Sequence, residues 1–437
     1  NNSANVSRTD SGTSSVGSLT FSQSGSSGSP SMSVSNMGLT VASATQVSGA
    51  SLNHSNGILT FQSAPSLSNS SSVSVSNGEL VLQNGGTVNG STLQLNASKF
   101  KPTGSISVTN GGIFTLNETS SVVLQGDTTL NQSGSVNWSE LDLGGNKLSL
   151  GSTVSSFTVQ KALNIANGES LAGSSSDINL RDTLVIADGG ELSSGTGNVQ
   201  ISGALSITDG GVLSSGTGNT SILGALTLNG RIAQGGGILN LTQGGTVGAT
   251  GKLDVSDSEL KLGGALNVSG TLAANSSSQW SGWSSTLDLT AGTLEAAGGS
   301  LSLSQISTGA NTTLKLSADT EITSSSDYTF GTVNLSGKKL TMGGGGSLTL
   351  PNALTMTAGS AIETKTFDLT LSSALQLGTG SITSTGGTIS LDGGVTLSNS
   401  GQLDVSGTNL KVKQSLNLPG GTFTTNASSV LDLKIDR

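Results

Sequence analysis

The chain has 437 residues, of which 33% are hydrophobic and only 3% aromatic, with 64 glycines, no cysteine and a formal net charge of −9. A chain of this length ordinarily divides into two or three domains with cores of aromatic and large aliphatic residues, and this composition excludes such cores, along with disulfide staples and thiolate metal sites. An acidic balance with no Lys/Arg cluster excludes nucleic acid as a partner, and no run approaches 18 apolar residues, so no transmembrane helix is expected.

Disorder is the next class to consider, because Ser, Gly, Asn and Thr dominate. Charged residues make up 10% and prolines number 5, whereas disordered chains rely on charge and Pro for solvation. The opening "NNSANVSRTD" lacks the charged-then-apolar order of a signal peptide and does not begin with Met, so it reads as a mature or excised segment.

In residues 1–130 apolar residues alternate in short runs, "GILTF" from 57, "GELVL" from 78 and "GGIFTL" from 111. Period two marks strands with one buried face, and the Gly and Asn pairs between runs supply corners. These are expected to be less regular coils of the fold that is clearest in 131–437, the whole forming one continuous solenoid. His54, in "LNHSNG", has no obvious second ligand and is expected to sit beside a turn, exposed to solvent.

The period is plainest from 183. "TLVIADGGELSSGTGNVQISG" (183–203) aligns on "ALSITDGGVLSSGTGNTSILG" (204–224) with 14 identities in 21 positions. A small residue followed by alternating apolar positions continues the count, from "KALNI" at Ala162 through "GALTL" at Ala225 and "GALNV" at Ala265 to "SALQL" at Ala374, ten steps of about 21. No segment shows a capped 3.6 period, so helix is not expected.

A 21-residue unit with short strands and Gly corners is one coil of an all-β, right-handed parallel β-solenoid, or β-helix, of about 20 coils. Stacking places Leu on Leu and Ile on Ile, which suits medium aliphatic residues and explains the scarcity of aromatics. The repeated "SSGTGN" is then a corner, with Asn198 under Asn219 in an amide ladder, and Gly190 and Gly211 serving the "DGG" turns. At about 4.8 Å per coil the rod is about 100 Å long. Side-by-side β-sandwiches would need hairpins every 8 to 12 residues and inter-sheet aromatic residues, which are missing.

Coils such as "GALSITDGGVLSSGTGNTSIL", cysteine-free and rich in Gly, Ser, Thr and Asn over most of the chain, resemble the β-helical exoproteins of bacterial surfaces: autotransporter passengers and filamentous haemagglutinin-like adhesins. The resemblance implies secretion and a rod at the cell surface that works in adhesion, matrix or spacing. Neither an "NPNG" element nor a barrel-like pattern after "LDLKIDR" is present, which leaves the export route open.

Chemistry is thinly represented. Sugar-cleaving β-helices need convergent carboxylates and aromatic subsites, and this chain has one His and one Tyr. The group Asp177, Arg181, Asp182 and Asp188 and the stretch "KLDVSDSELKL", with Lys252, Asp254, Asp257, Glu259 and Lys261, both read as solvated strand faces. "DGG" at 188, 209 and 392 is a turn rather than a calcium repeat, and "MGGGGSL" from 342 lacks the Lys-Ser/Thr of a phosphate loop. No cofactor and no metal site is expected.

Trp280 and Trp283, in "SSSQWSGWSS", interrupt a nearly aromatic-free chain and could stack on sugar rings, or could cover the tube from a longer loop; Trp138 is a weaker candidate. The expected function is a non-enzymatic structural or adhesive rod, secreted to a bacterial surface or extracellular matrix. Its expected partners are itself, end to end or laterally, neighbouring segments of a longer chain, and surface glycans. The end "SSVLDLKIDR" still alternates, so continuation or filament formation is anticipated. The alternatives are a carbohydrate-active β-helix enzyme or phage-type depolymerase, and an ice-binding solenoid, against which the Thr of segments such as "TFTTN" and "TMTA" are not expected to recur in register.

Overall fold

The structure is a computed structural model that describes residues 5–8, 12–22, 29–281, 286–303 and 306–434. These residues form 62 strands and no helix, and every strand pairing among them is parallel. Strands hydrogen-bond to the third strand before and the third after, so each coil contributes one strand to each of three faces. With three strands to a coil the fold is a parallel β-solenoid of about 20 coils. The chain divides into two compact units, Asn1–Gly224 and Ala225–Arg437.

In the first unit, face 1 carries Ser31–Ser35, Ser51–Ser55, Ser72–Ser76, Thr92–Asn96 and Ile113–Leu116, in register at steps of 20 or 21 residues. It resumes with Gly134–Trp138, Val154–Val159, Asp177–Leu180 and Val199–Ile201. On face 2, Leu163–Ile165, Leu184–Ile186 and Leu205–Ile207 stack so that Ile165, Ile186 and Ile207 form one rung each, all fully buried. Each such side chain contributes about 1.5–3 kcal/mol by leaving water. Within these strands the outward residues, such as Asn164 and Val185, are exposed.

The second unit repeats the arrangement. Leu253, Leu272, Leu294 and Leu314 form one buried ladder, and Leu340, Ile362, Ile382 and Leu403 another. The marker strand changes place within it. Leu226–Leu228, Gly245–Val247 and Leu266–Val268 belong to one sheet, whereas Leu354–Met356 and Leu375–Leu377 belong to another. From Leu226–Leu228 to Leu354–Met356 is 19 strands, which is six coils and one strand. The constant spacing of the marker therefore conceals a slip of one strand in the coil.

The near-copy at 183–224 has a steric cause. A Cβ on Gly218 would lie 2.1 Å from the Gly197 carbonyl oxygen, one on Gly216 would lie 2.2 Å from that of Gly195, and one on Gly197 would lie 2.0 Å from that of Ser176. At these corners the carbonyl oxygen of one coil occupies the space of a Cβ on the next, so the later residue must be Gly, whether it stacks on Gly, as Gly218 does, or on Ser, as Gly197 does. Ser194, beside this corner, donates to Ser215 Oγ at 3.3 Å, both buried. Gly218→Ala is expected to lower stability by about 1–3 kcal/mol, as overpacking does. At Gly345, where nothing lies within 4 Å of an added Cβ, alanine is expected to be neutral within about 0.5 kcal/mol. Urea unfolding of the two variants checks this, and equal midpoints would refute it.

Candidate functional site

The predicted corner residues lie in a polar ladder on the first unit. Asn219 N donates to Asn198 Oδ1 at 2.9 Å, and Asn198 N and Nδ2 both donate to Asp177 Oδ1 at 2.9 Å. Each side chain thus completes the backbone of the coil beside it. In the "DGG" turns the first glycines, Gly189 and Gly210, take φ of 69° and 80°. The second glycines serve close approach instead: a Cβ on Gly190 or Gly211 would lie 2.4 or 2.7 Å from the carbonyl oxygen of Ile165 or Ile186.

Trp280 lies in the strand Gln279–Ser281, in register with the buried Leu260, and is half-buried. Its Nε1 donates to the Ser302 carbonyl at 2.7 Å, so the indole is tied to the next coil. Trp283 lies outside the described residues. The charged stretch 252–261 is divided between two faces, Lys252–Asp254 in one sheet and Glu259–Leu262 in another. On the first of these, Arg231 pairs with Asp254 at 3.4 Å, while Glu295 holds Lys252 and Lys315 at 3.1 Å each, bridging coils along the stack. Arg181, Asp182 and Asp188 are all exposed. Among the described residues, no group of three or more His, Cys, Asp or Glu is placed to hold a metal ion.

Thr355 of "TMTA" is in register with Gln376, and Thr422 and Thr424 of "TFTTN" with Gln402 and Asp404, whereas Thr329, Thr349 and Thr370 stack in a single column. One expectation requires correction. His54 is buried, with 1% of its surface exposed, because it occupies an inward rung between Val34 and Val75. The adjacent turn residue, Asn56, is where the chain leaves the strand. Alternation, rather than proximity to a turn, decides which way a strand residue points.

A cleft on the first unit was not anticipated. Ile113–Leu116 ends one sheet of face 1 and Gly134–Trp138 begins the next, so the ladder lapses between them. Both strands line an open cleft of about 270 Å³. The interior beneath holds two aromatic pairs: Phe100 meets Phe114 edge-on at 5.1 Å, and Trp138 meets Phe157 edge-on at 5.0 Å. Ile113, at the cleft, is 51% exposed. Gln132, in register with the inward Val108, also lines it, and its buried Oε1 has no hydrogen-bond partner.

The cleft interrupts face 1 just beyond an ordered polar surface. The strands "SMSVS", "SLNHS", "SVSVS" and "TLQLN" set three columns of outward Ser, Thr, Asn and Gln in register over four coils, and Asn56 Nδ2 donates to Asn36 Oδ1 at 3.2 Å at their margin. Residues 11–98 contain a single charged residue, Glu79, which lies on face 2 paired with Lys101 at 2.7 Å. The remaining charges therefore lie almost wholly elsewhere. Both features leave a countable trace in the sequence, the charge-free stretch and the clustering of Phe100, Phe114, Trp138 and Phe157.

No family model, no curated protein and no solved structure matches this chain.

Two titratable groups respond to their packing. Burial lowers the His54 imidazole below its ordinary 6.5, and the Met37 carbonyl, 3.1 Å from Nε2, offsets this only in part; Nδ1 is buried without a partner. The unfolded chain takes up a proton at 6.5 that the buried ring accepts only at lower pH, so stability is full above 6.5 and falls as pH drops toward the lowered value. Burial raises Glu295, but hydrogen bonds and charge from Lys252 and Lys315 outweigh it and hold the carboxyl below the ordinary 4.5. Its contribution is present above 4.5 and is lost as pH falls through the lowered value. Unfolding between about pH 8 and about pH 5 is expected to show a loss of stability in the native protein that His54→Val removes. A slope that persists in the variant would assign it to other groups. Glu295→Gln is expected to cost at most about 1 kcal/mol at neutral pH, since the pairs are partly solvated, with a midpoint shift in urea as the readout.

Proposed function

We propose that the chain is a structural and adhesive rod of a secreted bacterial surface or extracellular-matrix protein, in the manner of the β-helical exoproteins that its coils resemble. The observation that carries this reading is the direction in which its side chains find partners. Apolar rungs, Ser and Asn ladders and ion pairs run along the stack: Lys161 to Glu140 over 21 residues, Lys413 to Asp392 over 21, and Lys365 to Glu321 over 44. Such an object gains stiffness and protease resistance with each coil, because a coil is covered only by its neighbours.

Association through a coil face is part of the same reading. In the last described coil Leu431 and Leu433 are 45% and 48% exposed, whereas Leu410 and Val412, their partners one coil earlier, are buried. A further coil, from the same chain or from a second copy, would cover them. Electron microscopy of the purified chain at increasing concentration tests both statements. Rods of about 100 Å are expected, lengthening into filaments with concentration, and Leu431→Glu with Leu433→Glu should abolish the lengthening. Compact globules would overturn the rod, and growth undiminished in the variant would overturn association through this face.

A further inference from the structure

We infer that the cleft between Ile113–Leu116 and Gly134–Trp138, with the polar columns that lead to it, binds a neutral polysaccharide chain. This gives the adhesive half of the preceding reading a ligand and rests on it only there, since a rod could serve as a shaft without binding sugar.

Charge narrows the choice of ligand first. No charged residue lies on the columns, and the one charge in residues 11–98 is paired on another face. Phosphates, acidic glycans and basic segments find nothing to pair with there. A protein partner would need an anchor at the centre of its contact, and the columns, a flat array of small hydroxyls, hold no pocket along their length, the cleft lying only at their end. What remains is a ligand that is itself uncharged and rich in paired donors and acceptors.

The geometry suits a chain of such units. Outward side chains repeat at about 4.8 Å along the stack and about 6.7 Å across it, and the central column runs Ser33, Asn53, Ser74 and Gln94. Each hydroxyl or amide both donates and accepts, as each sugar hydroxyl does. One contact of this kind is worth only about 0.5–1.5 kcal/mol, so affinity comes from repetition along one polymer. The outer column Ser51, Ser72, Thr92 leads to the exposed Ile113 at the cleft, where an apolar side chain can meet the C–H face of a pyranose ring. The cleft, at about 270 Å³, is large enough for a sugar unit.

Affinity electrophoresis in gels containing hydroxyethyl cellulose, dextran or soluble starch, with polygalacturonate as the charged comparison, tests this. At least one neutral polymer is expected to retard the native protein, equally at about 50 and about 500 mM salt, because no ion pair is formed. Asn53→Asp with Ser74→Glu, and separately Ile113→Lys, should weaken retention at least about tenfold, since each puts a charge where an uncharged chain must lie. Thr227→Glu, an exposed strand residue of the second unit, should leave it unchanged, and melting curves establish that all variants are folded. Retention by none of the neutral polymers, retention only by polygalacturonate, or retention indifferent to the face 1 variants would overturn the inference. So would self-association through this face without any polymer that Ser74→Glu abolishes, which would make the surface a contact between copies. Rods seen by microscopy without sugar retention leave the shaft reading standing while this one falls.

Discussion

Everything in this molecule depends on one contact, the meeting of a residue with its counterpart about 21 positions along the chain. Parallel strands 4.8 Å apart bring like positions face to face, so a side chain is acceptable only if the one stacked on it is compatible in size, polarity and charge. Inside, this selects Leu, Ile and Val, which fill a narrow tube without strain. At the corners it selects Gly, because the carbonyl of one coil occupies the space of a Cβ on the next.

The same rule organises the polar residues. Ser72 donates to Ser51 at 2.9 Å, Asn110 to Asn89 at 2.7 Å and Asn219 to Asn198 at 2.9 Å, each across 21 residues. Several charges find partners of opposite sign along the stack, Lys161 on Glu140 and Lys413 on Asp392, each across 21 residues. Glu295 serves Lys315 one coil on and Lys252 two coils back, and its carboxyl is held ionised by them.

Where the rule lapses, a surface opens. The edge-on aromatic pairs Phe100–Phe114 and Trp138–Phe157 accompany the one break in face 1 of the first unit, and the cleft lies over them. The fold was legible in residue types and spacing, because periodic contacts leave periodic sequence. The cleft was not, because it is a departure from periodicity, and Trp138 on its own looks the same whether it plugs a tube or lies on its surface. His54 was misplaced for a related reason. Its neighbour Asn56 suggested a turn, but the alternation through Leu52 already assigned position 54 to the interior.

The sequence alone determined the class of fold, the coil length, the absence of helix and the inward or outward sense of most strand residues, since each follows from local periodicity and from the bulk that stacking tolerates. It also determined that residues 11–98 present an almost uncharged surface. Only the tertiary structure decided how the strands divide into three faces, that the marker strand slips by one place in the second unit, and that Lys252 and Glu259 diverge onto different sheets. Those outcomes depend on corner angles and on the fit between coils, which arise from many contacts distributed along the stack rather than from any residue type at a fixed spacing.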